Sequence, residues 1–185
     1  MPTRLTTRDL VLAALFAALT SVSAWIWAPV FGEVPFTLQV LFVLVAGLVL
    51  GARLGALSML VYLTLGLFAP VYAGGTSGLG VLFGPTGGYL WGFVLAAALV
   101  GALAARLGRR SPLILCATAL AGLVPIYALG TMWLTWQIDI SLWAAVKVGV
   151  LPFVLLDAVK AGVAGFTAYA LAGSPLDLLA PVQED

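Results

Sequence analysis

FVLLDAVKAGVAGF, residues 153–166, places an aspartate and, three positions later, a lysine inside a run of residues apolar enough to cross a membrane. A charged side chain at the centre of a bilayer costs about 2.5–3.5 kcal/mol even on the most lenient scales. Asp157 and Lys160 share one helix face at this spacing. If the helix begins near Val148, Asp157 lies roughly 14 Å along it at about 1.5 Å per residue, close to the midplane. Two readings stand side by side: an ion pair that knits helices together, or a polar patch in an apolar pocket where a carboxylate accepts and an ammonium donates hydrogen bonds. Pro152 favours the second, because a proline in the first turn or at a kink opens a helix toward a vestibule.

The solvent of this chain follows from its composition. Hydrophobic residues make up 63% of the 185 and charged residues only 8%, against about 25% charged in a soluble domain. No soluble fold of this size can hide so much apolar surface, so the chain reads as a single integral membrane domain over residues 1–185. The net charge of +1 provides no basic patch for nucleic acid. Cys116 is the lone cysteine and histidine is absent, which removes disulfides, the commonest metal ligand and the commonest general base. No metal or cofactor is expected.

Six apolar segments suit helical spans of about 20 residues: approximately 10–28, 37–51, 54–68, 88–107, 113–136 and 148–172. The first follows Arg4 and Arg8 in the manner of a signal peptide, but its apolar run reaches Trp27 and further spans follow, so it reads as a span. The second and third are short and share the turn GARLG, which predicts a helical hairpin. Residues 69–87, APVYAGGTSGLGVLFGPTG, carry too much glycine and proline for a helix and predict a long loop. Cytoplasmic loops collect Lys and Arg. With the N-terminus inside, Arg4, Arg8, Arg53, Arg106, Arg109 and Arg110 all fall on the cytoplasmic side, while Glu33, Asp139 and Lys147 fall on the other. The expected topology is all-α, N-in and C-in, with long first and third outer loops.

That topology gathers the six tryptophans at the outer face. An interfacial belt would decorate both faces, so an aromatic-lined pocket opening outward is the better account of the set, with Tyr72, Tyr89, Phe31 and Phe36 at the same level. Small residues recur every fourth position: Ala13 with Ala17, Ala14 with Ala18, then Ala97, Gly101 and Ala105, and Ala161 with Gly165. Such faces let membrane helices approach closely. Internal packing accounts for most of them, while the terminal first helix also suits a partner subunit. Two catalytic readings fail on their missing parts. GTSG at 75–78 matches the nucleophile turn of intramembrane proteases, but no histidine serves it, and nothing in the sequence brings Lys160 to Ser77. No phosphate-binding loop occurs, and no lysine precedes Lys147, so the chain itself is not expected to hydrolyse ATP.

Three stretches together carry a family resemblance: VPFTLQV at 34–40, GLFAPVYAGGTSGLGVLFGPTGGYLWGF at 66–93, and VGVLPFVLLDAVKA at 148–161. They resemble the BioY family of biotin transporters, the substrate-binding membrane subunits of energy-coupling-factor transporters. The resemblance implies the S-component fold in a prokaryotic cell membrane and a high-affinity biotin site near the outer surface, not an enzyme. It implies that Asp157 accepts from the ureido NH groups of biotin and Lys160 donates to its carbonyl. Tyr89, Phe36 and Trp91 would pack on the ligand rings. Thr37 and Gln39 would belong to a lid-like first loop, with Gln39 as a further amide contact, and Gly74, Gly75 and Gly78 would let loop backbone lie on the ligand. Implied partners are a transmembrane coupling protein, docked on the Ala14 and Ala18 face, and ATP-binding cassette subunits. The transport step implied is reorientation of the whole subunit in the membrane. The valerate carboxylate of biotin finds no basic partner beyond Lys147 or backbone N–H groups at helix starts.

Overall fold

The computed structural model describes residues 5–31, 34–108 and 111–172. Arg4, Glu33, Arg109 and Arg110, which entered the orientation argument, lie outside the described residues. The chain is mostly helical: α1 (Thr7–Ser23), a hairpin of β1 (Trp27–Phe31) and β2 (Val34–Thr37), α2 (Gln39–Leu65), a short α3 (Leu79–Leu82), α4 (Gly87–Leu107), α5 (Pro112–Ala121), α6 (Leu123–Ile138), α7 (Leu142–Gly149) and α8 (Val154–Ala172). Among the described residues, four helical ranges are long and apolar enough to cross a membrane: Gln39–Leu65, Gly87–Leu107, Pro112–Ile138 and Val154–Ala172.

The first of those ranges doubles back on itself. Gly51 has φ 80° and ψ 179°, a conformation that glycine alone adopts without strain. Gln39 donates from its amide to the Tyr62 hydroxyl, although a straight helix would hold residues so far apart in sequence roughly 35 Å from each other. A Cβ on Gly55 would lie 3.1 Å from the Gly47 Cα. The two halves of α2 are therefore the antiparallel hairpin expected around GARLG.

Glycine and alanine faces then set the packing. α4 lies against both halves of α2, α1 against α2, and α8 against α5 and α2. A Cβ on Gly101 would sit 2.2 Å from the Ala52 amide nitrogen, one on Gly47 2.7 Å from the Ala97 carbonyl, and one on Gly165 2.6 Å from Cys116. Backbones meet here without side chains between them, as membrane helices require in the absence of a hydrophobic drive. Ala97 and Ala161 are buried as expected, whereas Ala104, not Ala105, continues the buried stripe of α4. In α1 the faces divide cleanly: Ala13 and Ala17 are buried, and Ala14 and Ala18 are exposed.

Local chemistry fixes the element ends. Thr6 and Asp9 form a reciprocal capping box, with Oγ1 of Thr6 accepting from the Asp9 amide at 3.2 Å and the Asp9 carboxylate accepting from the Thr6 amide at 2.9 Å. Pro125 has no N–H to give the preceding turn, and the helix is interrupted at Gly122, between α5 and α6. Several expectations shift: the 69–87 segment, read as too rich in glycine and proline for a helix, carries the short α3, and the 113–136 span is divided into α5 and α6. The first helix stops at Ser23, and Trp27 and Ala28 belong to β1 instead. Residues 148–172 are not one helix. Leu151, Pro152 and Phe153 form a turn between α7 and α8, so Asp157 lies in the first turn of α8 rather than deep along a helix from Val148.

Arg8, Arg53 and Arg106 all sit at one end of the bundle, because α1 starts there, α2 turns there and α4 finishes there. The hairpin, the 69–87 loop and α7 occupy the other end. Gly101→Leu is expected to lower the thermal midpoint in detergent sharply, since overpacking costs about 1–3 kcal/mol or more. Gly162→Ala, whose added Cβ meets nothing within 4 Å, is expected to leave it unchanged.

Candidate functional site: an aromatic chamber with an ion pair on its wall

At the hairpin end a cavity of about 70 Å³ is walled by β2, both ends of the 69–87 loop and the facing turns of α2, α4, α6 and α8. Its surface is mainly aromatic and aliphatic. Phe36, Tyr72, Tyr89, Phe93, Tyr127 and Phe153 supply the rings. One wall carries Asp157 and Lys160, exposed by only 4% and 6%.

The pair is fully engaged. Lys160 Nζ donates to Asp157 Oδ1 at 2.7 Å and to the Thr37 carbonyl at 2.6 Å, and it stands 3.9 Å from the centre of the Phe36 ring. An ammonium has three N–H groups, and the third meets the ring face in a cation–π contact. Asp157 Oδ2 accepts from the Tyr127 hydroxyl at 2.6 Å. Burial without partners would cost several kcal/mol per charge. Here each charge is met, and the first turn of α8 adds a favourable helix-terminal field at the carboxylate.

The chamber's shape comes from glycines packed around phenols. Gly130 lies against the Tyr89 ring, where a Cβ would approach to 2.3 Å, and a Cβ on Gly149 would come within 1.9 Å of its hydroxyl oxygen. That hydroxyl donates to the Gly149 carbonyl at 3.2 Å. Tyr72 is held similarly against Gly66 and donates to the Leu63 carbonyl at 2.7 Å. Burial raises the Tyr72 phenol above its ordinary pKa, which keeps it a donor. The roof is the β-hairpin, whose register pairs Trp27 with Thr37 and Pro29 with Pro35. In a two-stranded ribbon both strands are edges, so the prolines are tolerated.

Of the residues predicted from sequence, Asp157, Lys160, Tyr89, Gln39, Phe36 and Thr37 line this cavity. Thr37 meets the lysine through its carbonyl, not its hydroxyl. Gly74, Gly75, Gly78 and Trp91 are not on its wall. Gly74 and Gly75 back onto Trp27 and Trp25, both with positive φ, and Trp91 packs against the core from α4. None of the six tryptophans lines the chamber, which corrects the expectation of a tryptophan-walled pocket. Trp25, Trp27, Trp136 and Trp143 are exposed, and Trp133 donates to the Gly84 carbonyl at 2.9 Å, holding the loop to α6. Ser77 is exposed and away from Lys160's cavity. Lys147 is also exposed, 5.5 Å over the Trp143 ring. Tyr127, Phe93 and Phe153 also line the cavity, although no motif in the sequence marks them. A tyrosine within a span needs a partner for its hydroxyl, which was the available signal for Tyr127.

Buried rings around one satisfied ion pair, in a bundle of apolar helices, are the features of a binding chamber set among membrane-spanning helices. The chain belongs to the BioY family, whose model matches residues 1–174. It is 46% identical over 168 residues to a probable biotin transporter BioY of Pyrococcus horikoshii, covering 90% of this chain and 98% of that one. It is 44% identical over 165 residues to the biotin transporter BioY of Thermotoga maritima, covering 89% and 95%. The fold matches a crystal structure of the S-component for biotin from an ECF-type ABC transporter with a TM-score of 0.85 and 26% identity, over 92% of this chain and 96% of that one.

Lys160 is the tether between α8 and the roof. Lys160→Met is expected to raise amide exchange across residues 34–38 by tenfold or more without changing exchange in α4. A hydrogen bond to a charged group contributes about 1.5–3 kcal/mol, and exchange mass spectrometry reads the loss.

Proposed function

We propose that this chain is the biotin-binding subunit of an energy-coupling-factor transporter and captures biotin for uptake. The observation that carries the reading is the Asp157–Lys160 pair on the wall of an otherwise apolar chamber. A cyclic urea shows NH groups and a carbonyl on one edge of an apolar ring system. Asp157 keeps lone pairs beyond those used by Lys160 and Tyr127, and these accept from the ureido NH. Lys160 turns one N–H from the Phe36 face to the ureido carbonyl. Tyr89 and Phe36 pack on the fused rings, and Gln39, held by Tyr62, offers its amide at the same level. Names borne by the relatives support biotin as the solute.

The topology that goes with this function has six membrane-crossing segments in a single integral membrane domain: α1, the two halves of α2, α4, α5 with α6, and α8. The arginine-bearing end faces the cytoplasm by the positive-inside rule, so both termini lie inside and the chamber faces outward in a prokaryotic plasma membrane. Uptake then needs a transmembrane coupling protein and ATP-binding cassette subunits, and the exposed Ala14 and Ala18 face of α1 suits close docking of the former.

Isothermal titration of the purified protein with biotin tests the reading, and no heat of binding at micromolar biotin would refute it. Asp157→Ala and Lys160→Ala are each expected to weaken binding by at least 100-fold while the protein stays folded. Normal binding by both variants would make the pair purely structural. A thermal-shift series across vitamins, with biotin alone raising the midpoint, separates this solute from those of sibling subunits.

A further inference from the structure

Tyr62 is fully buried in the second half of α2 and lines no part of the chamber, whereas Gln39, at the start of the first half, lies on its wall. The two side chains meet through the Gln39 amide and the Tyr62 hydroxyl. The Tyr62 ring stands edge-on to Tyr72, with centroids 5.6 Å apart and planes at 82°. Gln39 is fixed from its backbone too. Its N–H donates to Thr37 Oγ1 at 3.3 Å, and the Thr37 carbonyl accepts from Lys160 at 2.6 Å. The amide and the ion pair are thus tied to the same residue of the roof.

A primary amide has a donor end and an acceptor end. One end of Gln39 is on Tyr62. The other has no partner in the protein, and it is not sealed in. Among the described residues, Thr118 Oγ1 is the one buried side-chain polar atom with neither a partner nor accessible surface. The free end of the amide therefore opens on the chamber that Gln39 lines.

The phenol proton decides which end that is. With the amide nitrogen donating to the hydroxyl, the Tyr62 proton has no acceptor among the described residues, and a buried donor left unmet is costly. A half-turn of the terminal amide exchanges oxygen and nitrogen at the same heavy-atom positions. The hydroxyl then donates to Oε1, and the amide nitrogen with its two N–H groups faces the chamber.

We propose that Tyr62 is a positioning residue: its hydroxyl donates to the Gln39 oxygen and so presents Gln39 to the ligand as a donor. The inference rests on the biotin reading and deepens it. A ureido oxygen carries two lone pairs; Lys160 meets one and Gln39 the other. The wall thereby selects a ring oxygen that accepts twice, which a cyclic urea supplies and a cyclic guanidinium lacks.

Isothermal titration with biotin is carried out on Tyr62→Phe, Gln39→Leu and the double variant in detergent. Tyr62→Phe is expected to weaken biotin about three- to tenfold, and Gln39→Leu at least as much. The double variant is expected to bind no more weakly than Gln39→Leu alone, because the phenol acts through the amide. Losses that multiply, or an unchanged affinity in Tyr62→Phe, would overturn the proposal. A residue that only fills the core lowers the melting midpoint without such coupling. Gln39→Glu tests the direction of the contact: its carboxylate still accepts from Tyr62 but gives the ligand no N–H. A loss beyond tenfold is expected, and wild-type affinity would overturn the proposal. This variant keeps a partner for the phenol, so it decides the matter if Tyr62→Phe does not fold. Failure of the wild-type protein to bind biotin would refute the biotin reading and this one with it, whereas every outcome among the variants leaves biotin capture standing.

Discussion

A buried ammonium must find acceptors for all of its protons, and the hairpin end of this protein is arranged around that demand. Lys160 takes a carboxylate from its own helix, a carbonyl from β2 and the face of a ring from β2. The carboxylate in turn requires a donor for its second oxygen and takes Tyr127 from α6. Two charges so placed fix three elements relative to one another, and the roof over the chamber is among them. Truncating either partner would leave the other uncompensated in a poorly hydrated setting, which is generally far more damaging than replacing both.

The hollow exists because glycines stand where other residues would fill it or push it apart. Gly130 and Gly149 let Tyr89 lie flat between α6 and α7, and Gly66 does the same for Tyr72 at the start of the loop. Toward the far end the logic reverses: Gly47, Gly51, Gly55 and Gly101 bring backbones together. One residue type thus makes space at one end by admitting rings and removes it at the other by admitting backbone. Among the described residues the interior is tightly packed near the arginine end and hollow beneath the hairpin.

Much of this was legible in the sequence, and the failures have physical causes. Apolar length and basic residues located the helices, and GARLG announced the fold-back, because glycine and arginine at a turn leave little choice. The charged pair stood out because charge within apolar sequence is costly. Its depth was misjudged: VGVLPF reads as continuous apolar sequence, but Pro152 and the turn around it restart the helix at Val154. The strands were missed because WAPVF and VPFT are short and broken by proline, so neither shows alternation. The tryptophans misled, since residue type at a given level does not say which way a side chain points, and phenols and phenylalanines from other elements took the wall.

The doubled-back α2 has a consequence for the membrane around it. Each half falls short of the about 20 residues that match a hydrocarbon core, while α4 beside it, with 21 residues, matches it fully. The first half is buried within the bundle, so the second half alone turns a short outer face beside the longer α4. The surrounding lipid resolves such a mismatch by thinning next to the short face or by letting the whole body lean. In a bilayer, a change of hydrocarbon thickness would therefore act on the tilt of the whole body through this short face, independently of anything held in its chamber.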